Sequence, residues 1–233
     1  MGMTLAARVH RIALLAMACV CGTAGAAQDY SEAERMLFMA DQLASVKPPL
    51  TLKYSYRKSG RLEPGFDDLV SVVLTAQTDG RCCAANTTFL TGERRITLPE
   101  IEDARGNPVI LHFLERDIHE MQRLTRGQHN YFRKRIRMAV YQGATIRPVR
   151  LAWRGQAVTG QEITITPYRD DPLRERFEKL AGKEYVFTLS AAVPGGVYAI
   201  HTRVPGDDSS SGPLIAEDLR IDGAGDPAPS SPL

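Results

Sequence analysis

Leu52-Lys53-Tyr54-Ser55-Tyr56-Arg57 alternates a large apolar side chain with a polar one, residue by residue. Successive strand side chains point to opposite faces, so this stretch reads as a half-buried β-strand with Leu52, Tyr54 and Tyr56 inward. Downstream, Ser59-Gly60 and Pro64-Gly65 lead into a second strand over about 67–77. Asp79-Gly80 is a hairpin signal, and 81–90 returns as a third strand. Thr91-Gly92 turns into a short segment at 95–98, and Gly106-Asn107-Pro108 closes a loop before the apolar run 109–113. Upstream, Ser31 and Glu34 form a capping box for a helix to about Val46, with Met36, Met39, Ala40, Leu43 and Val46 on one face. Pro48-Pro49 stops it.

The period then changes. Leu114, Ile118 and Met121 share a helical face over 114–125, ending at Gly127. Phe132, Ile136 and Val140 do the same over 130–141, before Gly143. Strand patterning resumes after Pro148, with Val149, Leu151 and Trp153 apolar; Gly155 turns, and 162–168 runs back with Ile163 and Ile165 inward. Asp171-Pro172 opens a short helix ending near Gly182. Strands at 185–190, 197–204 and 214–222 complete the pattern, joined by Pro194-Gly195-Gly196 and a loop over 206–212. The sum is an α+β domain spanning 27–222. It is a curved antiparallel sheet of about nine strands, a half-barrel or incomplete barrel, with an N-terminal helix and a central two-helix insertion. Residues 223–233 are small, polar and proline-bearing, the composition of a disordered tail.

The front of the chain reads as a secretory signal peptide. Arg8, His10 and Arg11 precede an apolar stretch over 12–21 and a small-residue end, Ala24-Gly25-Ala26. Cleavage after Ala26 delivers a periplasmic protein; acylation at Cys19 is the alternative, giving a tethered lipoprotein. Loss of 1–26 discards Arg8 and Arg11, leaving 27 basic side chains against 27 acidic ones. A balanced charge argues against nucleic acid as a partner, and no later run is apolar enough to span a bilayer.

The order of elements from Ser31 to Asp222 resembles the periplasmic lipoprotein-carrier family and its half-barrel relatives. That resemblance implies a concave sheet holding an apolar cargo; no motif aligns position by position, so it assigns no binding residue. Phe113-Leu114-Glu115-Arg116-Asp117, Pro167-Tyr168-Arg169-Asp170-Asp171-Pro172 and Pro194-Gly195-Gly196-Val197-Tyr198 resemble a group of exported proteobacterial proteins, which supplies no activity.

Four local features carry chemistry. Adjacent strand residues face opposite ways, so Cys82 and Cys83 are expected as two separate small side chains, a vicinal disulfide requiring a distorted backbone. His112, Glu115 and His119 would share a face that could hold zinc if the helix began as early as His112; the reading adopted is an ion-paired, solvated face, with no metal. Around 123–137, Arg126, Arg133, Lys134 and Arg137 are candidates for an anion or partner contact, against pairing with Glu115, Asp117 and Glu120 of the preceding helix. Asp171, beside Arg169 and Asp170, is a helix cap before Pro172. No nucleophile elbow, His-Glu-x-x-His or phosphate-binding glycine loop occurs.

The chain therefore reads as a non-enzymatic periplasmic binding or carrier module without a cofactor. Its partner would be a lipid, a lipoprotein or another apolar molecule. Tyr54, Tyr56, Leu151, Trp153, Ile163 and Phe187 are the expected lining, with Leu52 and Leu189; the same residues would equally fill an ordinary core. A structural or assembly protein docking to an envelope partner through its basic helix is the second reading. A metal- or thiol-dependent enzyme is the third.

Overall fold

The computed structural model describes residues 29–77, 82–207 and 212–225. The expected signal peptide, the Asp79-Gly80 turn and residues beyond Gly225 lie outside the described residues. The strands are β1 (Leu50–Ser59), β2 (Phe66–Ala76), β3 (Cys82–Phe89), β4 (Ile96–Thr97), β5 (Thr145–Trp153), β6 (Gln156–Ile165), β7 (Glu184–Leu189), β8 (Val197–Val204) and β9 (Ile215–Ile221). They form one antiparallel sheet in the order β4-β3-β2-β1-β9-β8-β7-β6-β5. Two meanders, β1–β4 and β5–β9, are thus sewn together where β9 lies beside β1. The edges β4 and β5 do not meet, so the sheet is curved and unclosed, as the alternating patterns predict.

β6 pairs with β7 only from Gln161 to Ile165, leaving its first half as an overhanging tip. Gly160 permits this, because a Cβ there would sit 2.6 Å from the Leu189 carbonyl oxygen. The tip reaches the chain leaving β9: Trp153 bridges Ala224, and the Gly225 N–H donates to the Ala152 carbonyl at 2.9 Å. Residues 223–225 are therefore held in place, so an unstructured tail does not begin at Gly223. Pro148 lies within β5 rather than before it. As an edge strand β5 tolerates the missing donor, and the proline blunts the open edge.

Two helices fill the concave face, α2 (Val109–Thr125) and α3 (His129–Gln142), after a single N-terminal turn, α1 (Glu32–Glu34). The run 109–113, read from sequence as a strand end, is instead the start of α2. Val109, Ile110, Phe113 and Leu114 extend the buried stripe of Ile118 and Met121, and the Asn107 side chain accepts the Val109 N–H at 3.2 Å. The N-terminal helix is shorter than the sequence predicts. Its Ser31/Glu34 capping box is present, but a π-helical turn (Arg35–Met39) follows and the chain becomes extended at Ala40. Tertiary bonds replace helical ones there: Leu43 N–H donates to the Arg105 carbonyl at 3.0 Å, and Gln42 Nε2 to the Met36 carbonyl at 3.0 Å.

Cys82 and Cys83 also depart from expectation: they form a vicinal disulfide across a cis peptide bond. The β2–β3 register shifts at this point, with Ala76 opposite Cys82 but Thr75 opposite Ala84. The extra residue is a bulge, which interrupts the strict alternation on which the separate-faces reading rests.

Candidate functional site

The inward phase of β1 is Leu52, Tyr54, Tyr56 and Lys58, and that of β9 is Glu217, Leu219 and Ile221. These residues are buried. Tyr54, Tyr56, Ile163 and Phe187, four of the six residues expected to line a ligand concavity, are at most 1% exposed and belong to one continuous core. The two tyrosine hydroxyls are engaged. Asn107 Nδ2 donates to Tyr54 at 2.7 Å, and the Tyr56 hydroxyl donates to Glu217 Oε1 at 2.9 Å while accepting from Arg116 at 2.5 Å.

Leu151 is buried in the same cluster and Trp153 packs against it, but both have the opposite strand phase to the residues that face Ile163. β5 starts at Thr145, and Ile146, not Leu151, shares the face of Ile163, its register partner. Leu151 has the phase of the exposed Arg147–Glu162 pair and borders a polar hollow on the convex face with Val186 and Tyr198. Trp153 lies at the sheet's lower rim, its indole N–H donating to the Asp222 carbonyl at 3.1 Å.

Between α2 and the sheet lies a layer of buried charge that sequence reasoning missed. Lys183 pairs with Asp117, and the Tyr185 hydroxyl donates to the same carboxylate at 2.5 Å, with the Tyr168 hydroxyl 3.3 Å further on. Arg116 pairs with Glu217, and Lys58 bridges Glu120 at 2.6 Å and Glu63 at 2.7 Å. Burial raises a carboxyl pKa, yet Glu217 is held below its ordinary value by Arg116, Lys183, the Tyr56 hydrogen bond and Lys58. Glu120 is likewise depressed to about 2: burial acts against this, but hydrogen bonds from Arg123 and Lys58 overcome it. Burial, then the Asp117 charge, pushes the Tyr185 hydroxyl well above its ordinary range. Each cation has a carboxylate, so the layer clamps α2 to the sheet rather than offering a free reactive group.

The open space lies at the rim. A groove of about 560 Å³ runs between the N-terminal segment, the middle of β5 and β6, and the end of β7 with the turn after it. Met36, Ala40, Ala44, Pro148, Leu189 and Val193 give it apolar walls, with Asp41, Gln42, Gln161 and Ser190 interspersed. A second hollow of about 400 Å³, lined by Val46, Lys47, Leu50, Trp153 and Pro194, shares Ser45, Ala191 and Val193 with the first. Asn107 organises this rim. Its backbone N–H donates to Gln42 Oε1 at 2.8 Å and its Nδ2 to the Gly195 carbonyl at 2.9 Å, tying the N-terminal segment to the β7–β8 turn. Gly195 has φ +72°, and a Cβ there would lie 2.6 Å from Leu52 and 2.8 Å from Asn107.

The expected cationic patch divides. Arg133 makes a bidentate pair with Glu115 at 2.9 and 2.7 Å, as the charge-laced hairpin reading has it. Arg126 is exposed in the left-handed position ending α2. Lys134 and Arg137 are exposed on α3 and border a cleft with Tyr30, Glu34, Met138 and Tyr141. Asp117 pairs instead with Lys183, just before β7, and Glu120 with Lys58 of β1.

The remaining features are structural in character. His112 lies within α2, and burial lowers its pKa; His119 meets His129 edge-to-face at 4.2 Å between ring centres. Glu115 serves Arg133, whose hydrogen bond draws its pKa down. Among the described residues no group of three or more His, Cys, Asp or Glu side chains could hold a metal ion. Asp171 takes the Leu173 N–H at 2.7 Å, the Tyr131 hydroxyl at 2.5 Å and Arg135 at 2.6 Å, so it caps a turn and ties α3 to it. No helix among the described residues is long and apolar enough to cross a membrane.

No family model matches the chain, and no curated protein matches it by sequence. Among solved structures, it is similar to the lipoprotein LppX of Mycobacterium tuberculosis. Identity is 10% over 85% of this chain and 99% of that one, with a TM-score of 0.32. It is also similar to a LolA-superfamily protein of Nitrosomonas europaea, at 9% identity over 86% and 94% of the two chains, with a TM-score of 0.22.

Proposed function

We propose that this chain is a non-enzymatic periplasmic carrier whose apolar ligand, a lipid or the acyl chain of a lipoprotein, sits in the rim groove. The groove is the observation that carries the reading. At about 560 Å³ it lies within the range of small-molecule sites, its walls are mainly apolar, and hydrogen bonds through Asn107 hold those walls in place. The interior of the half-barrel is not the site in this reading, because Tyr54, Tyr56 and Phe187 fill it. Export through residues 1–26 belongs to the proposal, and intact mass of the periplasmic protein tests it: the chain should begin at Ala27, not at an acylated Cys19. Native mass spectrometry of that same protein should find an adduct that organic solvent removes. Absence of any adduct, with no binding of added phospholipid or fatty acid, would exclude a carrier.

A second reading rests on a different observation. Lys134 and Arg137 are exposed and have no ion-pair partner among the described residues, as suits docking to an envelope protein. In that case Lys134→Ala with Arg137→Ala would abolish envelope association and leave ligand binding unchanged.

A further inference from the structure

We infer that the ligand is a single-chain amphiphile with an anionic head, oriented with the head at Lys47 and Arg154 and the tail toward Met36. This rests on the rim groove being the ligand site and adds the charge and direction of what fills it. The two hollows share Ser45, Ala191 and Val193, so the apolar surface is long rather than round, the shape of one extended chain.

Its ends differ in charge. Lys47 lines the second hollow, and the Arg154 guanidinium lies 4.9 Å from the centre of the Trp153 ring in that hollow's wall. Both cations are exposed, and neither has an ion-pair partner among the described residues. At the Met36 end Asp41 is the only charged lining side chain among the described residues. The field along the groove therefore draws an anion to the Trp153 end and repels it from the other. The Trp153 N–H is already committed to the Asp222 carbonyl, so the indole offers the head a wall rather than a donor. Recognition of the head falls to the two cations.

Trp153 is the only tryptophan in the chain and reports directly on this end. The experiment titrates the mature protein with dodecanoate, dodecanol and dodecyltrimethylammonium, following Trp153 fluorescence and the melting temperature. Two exposed cations contribute modestly, so dodecanoate should bind about fivefold tighter than dodecanol and the trimethylammonium compound weakest. About 0.5 M salt should erase most of that preference. Lys47→Gln with Arg154→Gln, which keeps both stems, should equalise acid and alcohol while circular dichroism stays unchanged. Equal affinities for all three in the wild-type protein would overturn the anionic head and leave the groove reading standing. No response to any of them would overturn both.

Discussion

Asp117→Asn tests the claim that α2 is clamped by buried charge. Lys183 is 2% exposed and Asp117 is fully buried, so the substitution leaves an ammonium out of water without its counter-ion while keeping an acceptor for Tyr185. Glu217 is close enough to feel Lys183, but it is already paired with Arg116. Removing one member of such a pair costs about 3–5 kcal/mol. The expected loss is therefore about 3–5 kcal/mol at pH 7, measured by urea unfolding with Trp153 fluorescence. Asp117→Leu with Lys183→Met should recover most of the loss. A loss below about 1 kcal/mol would refute the clamp.

Other consequences follow from the same contacts. Glu120 is depressed to about 2, so its contribution is present above pH 4.5 and lost as pH falls toward 2. Arg123, one of its partners, is half exposed, which limits that contribution to about 1–2 kcal/mol. Glu120→Gln should therefore differ from wild type by that amount at pH 7 and match it near pH 2; a constant gap would contradict the pairing. Asn107→Ala removes bonds to Tyr54 and Gly195 and leaves the Tyr54 hydroxyl buried without its donor, a loss of about 2–3 kcal/mol by calorimetry. It should also weaken ligand binding by releasing the rim, and Asn107→Asp, whose carboxylate cannot donate to the Gly195 carbonyl, should do so as well.

The strands were legible because their inward phase is carried by large apolar residues, as Tyr54 and Tyr56 show. The helix starts were less so, because 109–113 is too short an apolar run to distinguish a strand from the first turn of α2. The strand phase of Leu151 and Trp153 was misjudged for a related reason. Taking Pro148 as a strand start hid Ile146, whose register with Ile163 sets the face. The charged layer had a readable signal. Lys58 continues the inward phase of β1, Glu217 that of β9, and Asp117 sits on the buried stripe of α2. Charged residues in apolar phase mark buried pairs, but only the fold reveals that Asp117 meets Lys183, 66 residues away. The groove left no trace in the sequence, since its walls come from 36–45, β5, β6 and the turn after β7, segments no local pattern connects.

In the proposed carrier the ligand lies in the rim groove and not within the half-barrel. Ala191 is exposed and lines both hollows, so Ala191→Phe puts a ring where the ligand would lie without touching the core. Calorimetric titration of this variant with dodecanoate should show binding lost at least tenfold, at a melting temperature equal to that of the wild type. Undiminished binding by Ala191→Phe would place the ligand elsewhere and contradict the groove.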